Sequence, residues 1–175
     1  MFLDKTRVSK PILRFCKMKK IIQVYLLLII AFILQVSAAG QISWMPDLIL
    51  LMVVFEGMFR SGPEAVVFAL VAGAIRGSLS FGTFSADIFT FPIIGAMGFL
   101  EGRIFYRYNP VAQVLITTIA VCLVVFIHVL CLKTSEGRCA GFFTVLTYNW
   151  KPLLVTIVSA PGLFFLLSRM FHLED

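Results

Sequence analysis

The side chains that could do chemistry in this chain are few, and they stand in apolar surroundings. Asp47, Arg76 and Asp87 each fall near one end of a long apolar run, while Glu56, Arg60, Glu64, Glu101 and Arg103 fall near the opposite ends of the same runs. An ionised group costs about 2.5 to 3.5 kcal/mol at the centre of a membrane helix on insertion scales, so such residues pair, line a cavity or carry function. The expectation for the first group is a network in the outer half of the bundle, with Arg76 paired to Asp87 and Asp47 as a further partner. The competing reading, of comparable weight, has Arg76 reaching out to lipid headgroups along its aliphatic stem. The second group reads as an inner interfacial charge cluster rather than a proton path. Glu56 and Arg60, four residues apart, share one helix face there, and Glu64 opens the next span.

Catalytic constellations are missing from the sequence. It contains no Gly-x-Ser-x-Gly, His-Glu-x-x-His or Gly-x-x-x-x-Gly-Lys pattern, and its histidines are His128 and His172 alone. A lone membrane histidine such as His128 more often makes one interhelical hydrogen bond than binds a cation. Cys16, Cys122, Cys131 and Cys139 show no C-x-x-C pairing. Cys131 and Cys139 could be bridged on the outer side, but free apolar cysteines are the favoured reading. No enzyme, metal site or cofactor is expected, and nothing in the chain points to nucleic acid.

The elements that position these residues follow from composition. Of 175 residues 60% are hydrophobic and 14% charged, with a mean hydropathy of +0.99, which excludes an ordinary soluble domain. A helix needs about 20 apolar residues to cross a hydrocarbon core of roughly 30 Å. Six runs qualify as candidates: 21–39, 44–59, 63–81, 84–105, 111–132 and 150–171. The second is short, and a re-entrant segment remains open there; only Arg60, Ser61 and Gly62 separate it from the third, so a tight hairpin is expected. The fold class is therefore all-α, a polytopic transmembrane bundle of about six spans. Residues 1–20 form a basic cytoplasmic segment and 21–171 a single bundle.

Basic residues give the orientation. Lys5, Arg7, Lys10, Arg14, Lys17, Lys19 and Lys20 precede the first span, and the positive-inside rule holds them in the cytoplasm. Six spans then return the C-terminus to the same side. Arg60 and the turn 103–107 fall inside, Gly40–Ile42 and Gly82–Thr83 outside, and only Lys133 and Arg138 of the loop 133–149 go against the rule. Trp44 and Trp150 meet the outer interface, Tyr106 and Tyr108 the inner. A cleavable signal peptide ending at Val36-Ser37-Ala38-Ala39 is disfavoured, because the apolar stretch exceeds the usual 7–15 residue core. The N-terminal segment reads either as a topology determinant or as a surface on the anionic leaflet, offered by Phe2, Leu3, Ile12, Leu13 and Phe15.

Helix packing is legible in the third and fourth runs. Ala65, Ala69, Gly73 and Gly77 recur every four residues and draw one stripe of minimal side chains down the third helix, while the fourth carries Gly95, Gly98 and Gly102. Small residues permit the close approach on which helix association in lipid depends, so these two helices are expected to pack tightly. Pro92 and Pro161 are expected to kink their helices.

One stretch resembles a known family. Met45-Pro46-Asp47-Leu48-Ile49-Leu50-Leu51, the break at Arg60-Ser61-Gly62-Pro63 and then Val71-Ala72-Gly73-Ala74-Ile75 are similar to the rod-shape-determining MreD family, over residues 20–108. Family members commonly carry an Asp three residues after the glycine of the third span, where this chain has Arg76. Asp87 on the adjacent helix could compensate, and Gly82 could supply the glycine before the fourth span. The resemblance implies a bundle similar to the substrate-binding (S) subunits of vitamin transporters. It also implies a non-enzymatic scaffold of the peptidoglycan elongation machinery at the bacterial inner membrane, with membrane lipids, an MreC-like protein and other elongation-machinery proteins as partners. The alternative is a small-molecule transporter subunit with Trp44, Asp47, Arg76, Asp87 and Trp150 lining a pocket.

Overall fold

One short helix is wrapped by protein on all sides, and the longer helices around it each leave an apolar face uncovered. This arrangement is seen in a computed structural model that describes residues 10–39, 44–78, 84–104, 109–136 and 150–171, with side chains over 21–38, 44–78, 86–103, 109–130 and 150–171. The helices are α1 (Lys10–Ala39), α2 (Leu48–Phe59), α3 (Gly62–Gly77), α4 (Phe84–Ile104), α5 (Pro110–Glu136) and α6 (Trp150–Met170). The all-helical, multi-pass expectation is borne out. The expectations placed on Lys5, Arg7, Tyr106, Tyr108, Gly82, Arg138, Cys139 and the side chains of Cys16, Cys131 and Lys133 lie outside the described residues.

By length and composition Ile21–Ala38, Pro110–Leu130 and Trp150–Met170 can each cross a membrane. Their apolar faces follow helical spacing. Along α1, Ile22, Leu26, Ile29 and Ile33 are exposed, whereas Val24, Leu28 and Ala31 are buried against the bundle. Along α5 the outward stripe is Val111, Leu115, Ile119, Cys122 and Phe126. These faces meet lipid, and the protein is an integral, multi-pass membrane protein. Helix α1 begins at Lys10, well ahead of its apolar run, so the basic residues from Lys10 onward continue the same helix.

The second run behaves differently. Helix α2 has 12 residues, roughly 18 Å at 1.5 Å per residue, which is short of the hydrocarbon thickness. Every residue from Ile49 to Met58 is buried, so the helix is apolar all round because protein surrounds it on all sides. Its extended lead-in, Met45 to Asp47, is half-buried. Irregular backbone is tolerated at membrane depth when protein covers it. Rings fasten α2 and α3 to the outer helices: Phe55 lies 5.7 Å from Phe164 of α6, and Tyr25 of α1 meets Phe68 of α3 edge-on at 5.5 Å.

The glycines of α4 serve two neighbours. A Cβ on Gly95 would lie 2.8 Å from the Ala69 Cβ, and a Cβ on Gly73 would lie 2.7 Å from the Asp87 carbonyl, so α3 and α4 run antiparallel in backbone contact. Ala65, Ala69, Gly73 and Gly77 are all buried. Gly98 and Gly102, however, face α2 rather than the α3 stripe. A Cβ on Gly98 would meet the Gly57 Cα at 3.1 Å, and one on Gly102 would meet the Met58 carbonyl oxygen at 2.5 Å. The reason is angular. Gly98 and Gly102 are one turn apart on a common face, and Gly57 of α2 opens a second close approach there.

Gly102→Ala is therefore expected to lower stability by about 1–3 kcal/mol, because neither backbone can move aside without disturbing the other. Gly162→Ala on α6, where a Cβ meets nothing within 4 Å, should leave stability within about 1 kcal/mol. Denaturant titration of both variants in mixed micelles measures the difference, and equal stabilities would contradict the assigned close approach.

Candidate functional site

The local sequence prepares one end of α2 as a polar anchor. Asp47 is its N-cap: the carboxylate Oδ1 accepts from the Leu50 amide at 3.1 Å, and Pro46 just before it keeps the lead-in extended. The same carboxylate presents Oδ2 to the Arg76 guanidinium, which hydrogen-bonds and pairs with it. Gln35 of α1 donates to Asp47 Oδ1 at 3.4 Å, and the Asp47 amide donates to the Thr156 hydroxyl of α6 at 2.9 Å. The Thr156 hydroxyl in turn donates to the Pro152 carbonyl at 2.7 Å, so it both donates and accepts.

Arg76 is held from a second side. Its guanidinium lies 5.3 Å from the centre of the Phe91 ring of α4, and its Nε stands 3.8 Å from Asp87 Oδ1. Asp87 is wholly buried. Its Oδ1 is also 3.4 Å from Nε2 of His128 on α5, whose Nδ1 is 2.9 Å from the Val124 carbonyl. Gln35, Asp47, Arg76, Asp87, His128 and Thr156 thus form one connected junction to which each of the six helices contributes one residue.

The structure brings Asp47, Arg76 and Asp87 together, with the closer partner of Arg76 being Asp47 rather than Asp87. An N-cap carboxylate sits at the helix end, where an arginine of the neighbouring span can reach it edge-on; Asp87 lies a turn inside α4 and meets only the Nε edge. Sequence reasoning passed over Gln35 and Thr156 and gave His128 no partner. Their signal was weak but present, since each is a polar residue in an otherwise apolar run. Trp44 and Trp150 are exposed, at 61% and 50%, and join none of these bonds.

The opposite group divides. Glu56, with a side chain only 4% exposed, pairs with Arg60 one turn later. Arg60 and Glu64 line a groove of about 240 Å³ with Ile21 and Tyr25 of α1. Arg103 is exposed and instead covers the Phe99 ring at 4.7 Å, a ring that packs on Gly62. Glu101 has no ion-pair partner among the described residues. Residues 101 and 103 lie about 200° apart around a helix, so one cluster cannot hold both. Among the described residues no group of three or more His, Cys, Asp or Glu side chains could hold a metal ion.

What such an arrangement does chemically is fix helices. Removing one partner of a desolvated pair leaves the other uncompensated, so Arg76→Gln is expected to cost about 3 kcal/mol. Adding Asp47→Asn should recover part of that loss, with a coupling above about 1 kcal/mol in a double-mutant cycle. Unfolding of the four proteins in mixed micelles gives the coupling; additive losses would mean that the two side chains act independently.

Comparison with known proteins bears on the whole chain. Residues 16–172 match the family model of the rod shape-determining protein MreD. No curated protein and no solved structure gives a significant match. The matched region takes in α1 from Cys16 onward, the five other helices and every member of the polar junction, and covers far more than the short motifs around Asp47 and Gly73. The chain belongs to the MreD family of rod shape-determining proteins, membrane components of the cell-elongation machinery.

Proposed function

We propose that this chain is a non-enzymatic scaffold of the elongation machinery at the bacterial inner membrane, binding an MreC-like membrane protein and, with it, other elongation-machinery proteins. The observation that carries the reading is the family match across residues 16–172, together with the use made of the polar side chains. Asp47, Arg76 and Asp87 are engaged with one another and with neighbouring helices, as suits a rigid platform. Both termini lie on the cytosolic side, a placement supported for the N-terminus by the basic residues before the first span and for the C-terminus by Arg169. The partner-facing surface is sought on the uncovered apolar faces of α1 and α6, where Leu26, Ile33, Leu154 and Val158 point away from the bundle.

Depletion of the protein in its native cells is expected to turn rods into rounded cells within a few generations, scored by microscopy; cells that keep their shape sink the assignment. Photo-crosslinking groups at Leu26, Ile33, Leu154 and Val158 should capture an MreC-like protein from at least one of these positions, identified by mass spectrometry. Reporter fusions at both ends should be active on the cytosolic side only, and opposite sides would remove the assigned orientation.

A further inference from the structure

The six-helix junction does not balance electrically as its charged side chains stand. Among the described residues the groups facing Asp87 are Arg76 from α3, His128 from α5 and, across the guanidinium, Asp47 from α2; α1 and α6 bring the uncharged Gln35 and Thr156. Two carboxylates therefore share one guanidinium. Asp87 is completely buried, and among the described residues its oxygens accept no hydrogen bond: Arg76 Nε stands off at 3.8 Å, so a negative charge there is only partly compensated.

The ring of His128 shows how the imbalance is resolved. A carbonyl oxygen can only accept, so the 2.9 Å contact with Val124 requires the proton of a neutral ring to be on Nδ1. Nε2 then turns a lone pair towards Asp87 Oδ1 at 3.4 Å. A lone pair facing a carboxylate is repulsive, and one added proton removes the repulsion wherever it resides. On Nε2 it makes an imidazolium beside a carboxylate; on Oδ1 it makes a carboxylic acid beside an imidazole. Either arrangement brings the junction to neutrality.

We propose that Asp87 and His128 form a proton-binding site, holding one shared proton that completes the charge balance of the junction and ties α5 to α4. The site is independent of the scaffold role and of which partner the protein binds. It acts on the point where all six helices meet, so proton occupancy bears on the bundle as a whole.

The full chain in lipid nanodiscs tests this by NMR of ¹⁵N-labelled histidine rings and ¹³C-labelled aspartate carboxyls, with His172→Gln used to assign the His128 signals. At about pH 8 the wild type should show one proton beyond the Nδ1–H of a neutral ring, as either an imidazolium beside a carboxylate or an imidazole beside a carboxylic acid. A neutral ring beside an ionised Asp87 overturns the proposal. Where the wild type shows an imidazolium, Asp87→Asn should leave a neutral ring, and a persistent imidazolium would assign the proton to His128 alone and overturn the proposal; where it shows a carboxylic acid, titration of the wild type decides. Should Asp87→Asn fail to fold, the wild type decides by titration: the Asp87 and His128 signals must change together at one midpoint, and two separate midpoints refute the shared site.

Discussion

A carboxylate placed at the start of a short buried helix governs the arrangement of this protein. Asp47 caps α2 with one oxygen and receives Arg76 of α3 on the other, while its backbone amide reaches Thr156 of α6 and its side chain accepts from Gln35 of α1. Arg76 carries the connection on to Asp87 of α4, and Asp87 to His128 of α5. In lipid, apolar contact between helices gains little over contact with acyl chains, so directional polar contacts and close backbone approach must decide which helix lies beside which. The junction supplies the first at one point, and the glycines supply the second along the length of α4.

The two devices depend on each other. Gly73 lets the α3 backbone come so near α4 that a Cβ there would lie 2.7 Å from the carbonyl of Asp87, the very residue that Arg76 meets one turn further along. Gly57, Gly98 and Gly102 draw α2 and α4 together in the same way and lead from the junction towards the Glu56–Arg60 pair at the far end of α2. The result is that α2 and α3 each lie in backbone contact with α4, while α1, α5 and α6 pack around them and present apolar faces to the bilayer, as do the outer sides of α3 and α4. The interior thus joins a polar junction at one end to the buried Glu56–Arg60 pair at the other, with close backbone approaches and the rings of Phe55, Phe68 and Phe91 filling the space between.

Helix α2 illustrates how context replaces length as the criterion for a membrane segment. Its 12 residues are too few to span by themselves, and Glu56 within them would be costly against lipid. Enclosed by the other helices, it needs neither length nor a lipid-compatible polarity. Glu56 is matched by Arg60 one turn later, and the extended backbone before Asp47 is bonded to α6. The charges of α4 are placed by the same logic, with Asp87 inside the junction and Arg103 lying over Phe99 at the other end.

The sequence by itself determined that lipid is the solvent, that six helices form, that α2 and α3 join through a tight break at Arg60-Ser61-Gly62, and that Glu56 meets Arg60. All of these are local: hydropathy, turn chemistry and a four-residue spacing act within one segment and do not wait on the rest of the chain. It also marked Asp47, Arg76 and Asp87 as ionisable groups too costly to leave against lipid. Only the tertiary structure decided that Arg76 sits closer to Asp47, that Gly98 and Gly102 belong to α2, and that Gln35, His128 and Thr156 complete the junction. Those outcomes depend on the depth and rotation of each helix relative to partners as far as 109 residues away, as for Asp47 and Thr156. A periodicity fixes which residues share a face, but in a bilayer that face has no intrinsic preference for one neighbour over another, and only the packed bundle settles the choice.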